Sequence, residues 1–369
     1  MTVAKQNGRF YWLDVLRGLA ALVIVFWHWN HFVFNNEIHT LSAQIYDVTL
    51  FPLYNVFRAF YGQGWRAVQL FFTLSGFIFF WLYGNEISKK SITFVDYMKR
   101  RVSRIYPLHI LTLLLVIVLQ IIYHSIHGYN FIYHNYSLNA FLGNLTLTYQ
   151  WFVSSSPENI VFNGPSWSIS VEMGLYVLFF LSCFYKLHKW YFPVIIVFIS
   201  YFLRGTQIEF LAQGIMSFYM GGIAFYMYEY FTKTSTKIQF VFIFSAALLL
   251  IANIIIFRYI MHAQLPFYFF ELIGFPLAVT IIALLETKLG SGLGKKLSFI
   301  GDISFSCYLI HFPLQLCFLL VSEKLKLPNS IYYSPLVLCS FFAILILLSI
   351  ISFNFFEKPV QNLLRRKWL

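Results

Sequence analysis

The sequence predicts an all-α, polytopic integral membrane protein of about ten transmembrane helices, and three observations carry that reading. Hydrophobic residues make up 59% of the 369 residues and charged residues only 11%, where a soluble domain carries about 25% charged residues. Apolar runs of roughly 17–25 residues, long enough to cross a hydrocarbon core, recur from end to end. The runs are continuous rather than alternating, which argues for helices over a barrel.

Spans are expected at residues 10–34, 66–84, 106–124, 167–186, 190–203, 210–230, 238–257, 266–286, 303–322 and 336–356, the fifth being unusually short. Basic loops orient them. Lys89, Lys90, Lys99, Arg100, Arg101 and Arg104 crowd one loop. Lys186 with Lys189, Lys233 with Lys237, and Lys288 with Lys295 and Lys296 mark three more. Lys5 and Arg9 precede the first span, and Lys358, Arg365, Arg366 and Lys367 follow the last. With ten spans most of the 26 lysines and arginines fall on one side, so both termini are expected in the cytoplasm. The net charge of +12 then reports topology and not nucleic-acid binding.

Residues 138–152, "LNAFLGNLTLTYQWF", are apolar enough to span, but a span there would break the charge alternation. They are expected as an interfacial or re-entrant piece on the outer side, with 35–65 as a long outer loop. Cys183, Cys307, Cys317 and Cys339 lie in apolar runs without zinc-like spacing, so no metal site is expected. The first span is too long for a removable signal peptide. The chain reads as a single transmembrane domain over 1–369, with no soluble domain attached.

The first span holds Asp14, Arg17 and His28. Arg17 and His28 are eleven residues apart, about 20° from three full turns and about 16 Å along the axis, so they share one face. Ionisable groups within a span are functional candidates by default. The alternatives are an Arg17 that snorkels and a His28 that caps the outer end. Three further segments place polar groups in spans. "YMKRRVSRIYP" (97–107) sets Arg101 and Arg104 on one face, and guanidinium forks suit phosphate oxygens. "NGPSWSISVEMGLY" (163–176) opens on a turn signal and carries Glu172 about two turns into the membrane, where it needs a partner. His28 and Arg17 are candidates, as are a neighbouring Tyr or Ser. "GDISFSCYLIHFP" (301–313) brings Ser304, Ser306, Tyr308 and His311. Glu357-Lys358-Pro359 reads as a helix stop with an interfacial ion pair.

Arg17 and His28 with ten residues between them, "LFFTLSGFIF" (70–79), "RRVSRIYP" (100–107), "NGPSWSISVE" (163–172), "SFSCYLIH" (304–311) and the closing "FEKP" (356–359) together resemble the membrane acyltransferase-3 family, in its order and over nearly the whole chain. The resemblance implies O-acylation of a carbohydrate or related acceptor outside the cytoplasm, such as O-antigen, exopolysaccharide or another envelope glycan. The donor would be cytoplasmic acyl-CoA, acetyl-CoA being the family's usual one, and the location the bacterial cytoplasmic (inner) membrane. It implies His28 as general base, Arg17 holding the donor or polarising its thioester, and Glu172 orienting His28 or holding the acceptor. Arg100, Arg101 and Arg104 would dock the donor phosphates. Trp167, Ser170, His311 and Tyr308 would contact substrate, with Trp65 and Trp151 as further sugar-stacking candidates. The rival reading is a transporter or flippase of a lipid-linked saccharide, although no duplicated halves are evident.

Overall fold

The computed structural model describes residues 8–33, 47–256 and 268–368. Lys5, residues 35–46 of the outer loop, and the junction of the seventh and eighth expected spans lie outside these residues. Helices form at α1 (Tyr11–His28), α2 (Tyr54–Gln63), α3 (Ala67–Ser88), α4 (Phe94–His127), α5 (Leu138–Leu145), α6 (Ser166–Phe184), α7 (Tyr191–Phe202) and α8 (Glu209–Thr232). They continue with α9 (Thr236–Ile255), α10 (Phe275–Leu289), α11 (Gly292–Leu297), α12 (Phe299–Asp302), α13 (Ser304–Lys324), α14 (Pro335–Ile351) and α15 (Lys358–Trp368). Among the described residues nine helical stretches are long and apolar enough to cross a membrane, and there is no strand. The fifth expected span, 190–203, is α7, whose 12 residues reach only about 18 Å.

Local chemistry sets several helix ends. Thr93 caps α4 by accepting from Asp96 N–H at 3.1 Å, and Gly128 ends it at φ 80°. The start of α1 is capped from another helix. Glu286 of α10 accepts the N–H groups of Tyr11 (2.8 Å) and Trp12 (2.9 Å), placing a carboxylate where the helix dipole favours one. The last span does not stop at the Glu357-Lys358 pair. It passes through a π-helical turn, Ser352–Glu357, into α15. Glu357 turns inward to accept from Ser306 and from Ser352 (2.8 Å), so the expected interfacial ion pair does not form.

The closest helix pair is α3 with α8. A Cβ on Gly76 would lie 1.8 Å from Phe218 O, and one on Gly221 would lie 2.0 Å from Thr73 O. Two glycines here replace side-chain packing with backbone contact, the small-residue solution to helix association in lipid. By contrast α9 presents Phe240, Val241, Phe244, Leu248 and Ile251 outward, as a lipid-facing helix does.

One end of the bundle is basic. Arg9 pairs with Asp14 and with Asp302 (2.6 Å). Lys99 Nζ donates to Trp368 O at 2.6 Å, and Arg365 Nε donates to Ser103 Oγ at 3.3 Å. The starts of α1, α4 and α13 and the end of α15 therefore share that end.

The segment 138–152 forms α5, only eight residues, and a short 3-10 turn at Tyr149–Trp151. At about 12 Å this helix cannot cross the hydrocarbon. It is tied down at several points. His109 Nε2 donates to Asn144 O (2.9 Å), Asn144 Nδ2 to Ser166 Oγ (3.1 Å), and Ser170 Oγ to Leu147 O (2.9 Å). The four cysteines are free thiols.

Candidate active site

Two parallel helices, α1 and α13, carry the polar stripe. His28, at the far end of α1 from the basic mouth, and His311, two turns into α13, meet with Nδ1 of His28 3.2 Å from Nε2 of His311 and ring centroids 4.8 Å apart. His28 Nδ1 also lies 3.0 Å from Ile24 O. A carbonyl oxygen only accepts, so Nδ1 carries the proton and Nε2 the lone pair. That proton is shared between Ile24 O and His311 Nε2. In turn, His311 Nδ1 faces Cys307 O at 3.3 Å, which fixes the same tautomer. Both rings are buried, and among the described residues Nε2 of His28 makes no hydrogen bond.

Gln315, one turn beyond His311 and fully buried, joins the two helices. Its Nε2 donates to His28 O (2.8 Å), and its Oε1 accepts from His31 Nδ1 (3.1 Å). His31 stands 4.9 Å from His28, ring to ring. Sequence reasoning singled out neither residue for the site. The signal was available: Gln315 follows His311 by four residues, on one helix face.

The turn that holds His311 depends on a distant residue. Pro313 has no N–H, so the carbonyl of Leu309 loses its i+4 donor. Asn163 Nδ2 supplies one, at 3.1 Å. One turn toward the basic end, Tyr308 OH and Ser168 Oγ bond at 2.8 Å, so α6 and the turn leading into it hold α13 on both sides of the histidine.

A second polar layer lies between α3, α4 and α6. Glu172 Oε1 accepts from Tyr176 OH (2.6 Å) and Ser75 Oγ (3.1 Å). The expected pairing with His28 or Arg17 does not form, because a tyrosine and a serine satisfy the carboxylate first. Arg101 is buried in a cage of rings, its guanidinium carbon 4.6 Å from Phe79 and Tyr83, 5.6 Å from Tyr97 and 5.7 Å from Tyr176. Its Nε and the Tyr97 hydroxyl are sealed without hydrogen-bond partners.

The third layer is the basic mouth. Arg17 is held by Asp14 Oδ1 (2.9 Å), Gly301 O (2.9 Å) and Ser304 Oγ (3.2 Å). Gly18 and Gly301 let α1 and α12 touch here, since a Cβ on Gly301 would lie 2.3 Å from Asp14 O. Arg100 and Arg104 are exposed, and Arg365 adds a third guanidinium that the sequence reading placed only in the tail. Burial holds the Arg365 pKa down, and the nearby charges of Arg101, Arg104 and Arg100 push the same way.

The structure thus brings His28 and His311 together, links Arg101 to Glu172 through Tyr176, and sets Arg17 apart from both. Ser170 is occupied, donating to Leu147 O and accepting from Gln150 N–H at 3.2 Å. Its backbone oxygen receives Trp151 Nε1 at 2.6 Å. Trp167 packs on Phe210, centroids 4.7 Å apart. Among the described residues no His, Cys, Asp and Glu group is arranged to hold a metal ion.

Comparison with known proteins identifies the family. A family model described as an acyltransferase domain matches residues 10–353. Acyltransferase MdmB of Streptomyces mycarofaciens is 33% identical over 118 residues, 31% of this chain and 27% of that protein. Protein 2 in the picA locus of Rhizobium radiobacter is 33% identical over 108 residues, 29% of this chain and 44% of that protein. The chain therefore spans under half the length of these two curated relatives. A putative acetyltransferase, ORF330 of Acidianus two-tailed virus, is 25% identical over 321 residues, 81% of this chain and 82% of that protein. No solved structure matches. A match running from the start of α1 into the π-helical turn after α14 takes in the histidine and Glu172 layers and all of the basic mouth but Arg365, and the chain belongs to the acyltransferase-3 family.

Proposed function

We propose that the protein transfers an acyl group, acetyl in the first instance, from acyl-CoA to a hydroxyl of a carbohydrate acceptor. The donor binds at the basic mouth, on the cytoplasmic side, and the acceptor meets His28 from the outer side of a bacterial cytoplasmic membrane. The whole of residues 1–369 acts as one transmembrane catalytic unit. The observation that carries this reading is the His28 ring: its proton is fixed on Nδ1, and its Nε2 lone pair is unengaged.

In this mechanism Nε2 takes the proton of the acceptor hydroxyl as the oxygen attacks the thioester carbonyl. The new C–O bond gives a tetrahedral intermediate, which collapses with cleavage of the C–S bond. The departing thiolate receives the proton from His28. While charged, His28 leans on Ile24 O and His311 Nε2, both acceptors, because no carboxylate touches it. The Tyr308 hydroxyl, on a ring 6.0 Å from that of His311 and bonded to Ser168, would have to turn from Ser168 to serve the oxyanion as a neutral donor. Arg100, Arg104 and Arg365 hold the donor phosphates at the mouth. Arg101 and Glu172 line the polar layer between the mouth and the histidines, and Arg17 braces α1 there. Trp167 borders the acceptor side.

The test is label transfer in nanodiscs from radiolabelled acetyl-CoA to an envelope-glycan extract. Wild type should move the label into the glycan, and His28→Ala should not. Undiminished transfer by His28→Ala removes the base assignment; in sealed proteoliposomes, movement of glycan across the bilayer with the label still on CoA favours a transporter.

A further inference from the structure

A cavity of about 540 Å³ opens at the basic end, outside the layers already described, lined by Ser88, Lys89, Lys90, Lys186, His188 and Lys189. Its size falls in the range of small-ligand sites, roughly 300–1,000 Å³, and four of its six lining residues are lysines.

Two matching turns build it. After α3, Lys90 N–H bonds Ile87 O (2.8 Å) and Ser91 N–H bonds Glu86 O (3.0 Å). After α6, Lys186 N–H bonds Cys183 O (2.9 Å) and Leu187 N–H bonds Ser182 O (2.7 Å). This paired cap fixes the backbones of Lys90 and Lys186 in the left-handed region, at φ 57° and 62°. Lys90 Nζ rides 5.0 Å over the Phe184 ring. From α8, Tyr226 OH donates to His188 O, which holds the second turn in place. The lysines are therefore presented from anchored turns.

No described residue forms an ion pair with any of the four lysines. Nδ1 of His188 is sealed without a hydrogen-bond partner. Burial, and then the Lys189 ammonium, holds the His188 pKa below the ordinary histidine range. Topology needs positive charge at this end, but it needs no cavity. Lys233, Lys237, Lys295, Lys296 and Lys358 supply such charge without lining a cavity; Lys89, Lys90, Lys186 and Lys189 are equally exposed but face one concavity. Concentrating four cations in one concave site without a carboxylate creates a field that an anion relieves.

We infer that this cavity binds a phosphate ester, with Lys89, Lys90, Lys186 and Lys189 as its cationic ligands. Lysines act as point charges on a phosphate group, whereas the guanidinium forks of Arg100, Arg104 and Arg365 suit a diphosphate. Two sources offer this chemistry at a cytoplasmic face: the 3′-phosphate of the CoA donor, and the headgroup of an anionic phospholipid. Only the first rests on the donor assignment above.

The experiment uses the full chain in nanodiscs. One arm compares the affinity of CoA with that of 3′-dephospho-CoA. The other compares thermal stability in phosphatidylcholine with and without phosphatidylglycerol. Both arms are run on wild type, on Lys186→Gln/Lys189→Gln, and on Lys233→Gln/Lys237→Gln as a charge-matched control. For a donor site, wild type prefers CoA about tenfold, the preference worth one charge-assisted contact, and only the cavity variant loses it. For a lipid site, only the cavity variant loses the phosphatidylglycerol stabilisation. Should wild type fail to bind CoA, the donor assignment falls and the lipid arm alone decides. As a readout independent of variants, amine labelling of wild type followed by mass spectrometry should show Lys186 and Lys189 protected by the ligand, with Lys233 and Lys237 unprotected. Equal behaviour of the two variants in both arms, without selective protection, overturns the inference.

Discussion

Replacing Asn163 should destabilise the turn that carries His311, and the cost should vanish when Pro313 is replaced as well. Pro313 orphans Leu309 O, and Asn163 Nδ2 is its 3.1 Å donor. In Asn163→Ala that carbonyl is buried and unpaired. Such a group costs about 1–3 kcal/mol in soluble proteins, while polar pairs in a membrane protein average about 0.6 and reach about 1.7 kcal/mol. The asparagine Oδ1 is itself sealed without a partner, so its removal returns part of the loss. The net expectation is about 1–1.5 kcal/mol. Pro313→Ala restores a backbone N–H that can reach Leu309 O, so the Asn163 change should cost under about 0.5 kcal/mol in that background. Reversible unfolding in mixed micelles gives the four stabilities of the cycle. Acyl transfer should follow the same order, because His311 lies between Leu309 and Pro313 in the turn they define. Strictly additive costs, with a coupling indistinguishable from zero, would refute the idea that Asn163 stands in for the proline's missing donor.

His28→Ala should lower acyl transfer by about 10²–10⁴-fold, the usual contribution of a general base, while expression and gel-filtration profile stay those of wild type. Gln315→Leu removes the clamp on His28 O and His31; turnover should fall about tenfold, or ~1.4 kcal/mol in barrier, with the apparent KM for donor unmoved. Arg104→Ala/Arg365→Ala should raise that KM about tenfold with kcat nearly retained, as loss of ground-state binding does; an unchanged KM would take both residues out of donor docking. Gly76→Ala should abolish the folded peak in detergent, because its Cβ would lie 1.8 Å from a backbone oxygen. Gly84→Ala in the same helix, with open space around it, should behave as wild type.

Hydropathy alone located the spans, because length and apolar content are local properties. Charge alternation, which is a property of the whole chain, kept 138–152 out of the membrane where hydropathy would have admitted it. The first-helix stripe was legible too: eleven residues of helix place Arg17 and His28 on one face whatever surrounds them. Partners were harder to read. Glu172 has three plausible classes of partner in the sequence, and only packing selects Ser75 and Tyr176. Asn163 looked like part of a turn, and the carbonyl it serves lies 146 positions away. The half of that interaction visible in sequence was Pro313, which must orphan a carbonyl inside any helix. Arg365 was hidden differently: a basic tail signals topology well enough that a second use for one of its charges leaves no mark in composition.

The α3–α8 seam has a mechanical consequence. Where two main chains touch, no side chain can rearrange to lubricate sliding, and any rocking along that line would pull peptide groups apart across their full height. The pair behaves as a keel. Cargo moving past it must be slim enough to travel without prying it open, which suits a flexible thread carrying a small group far better than a bulky sugar.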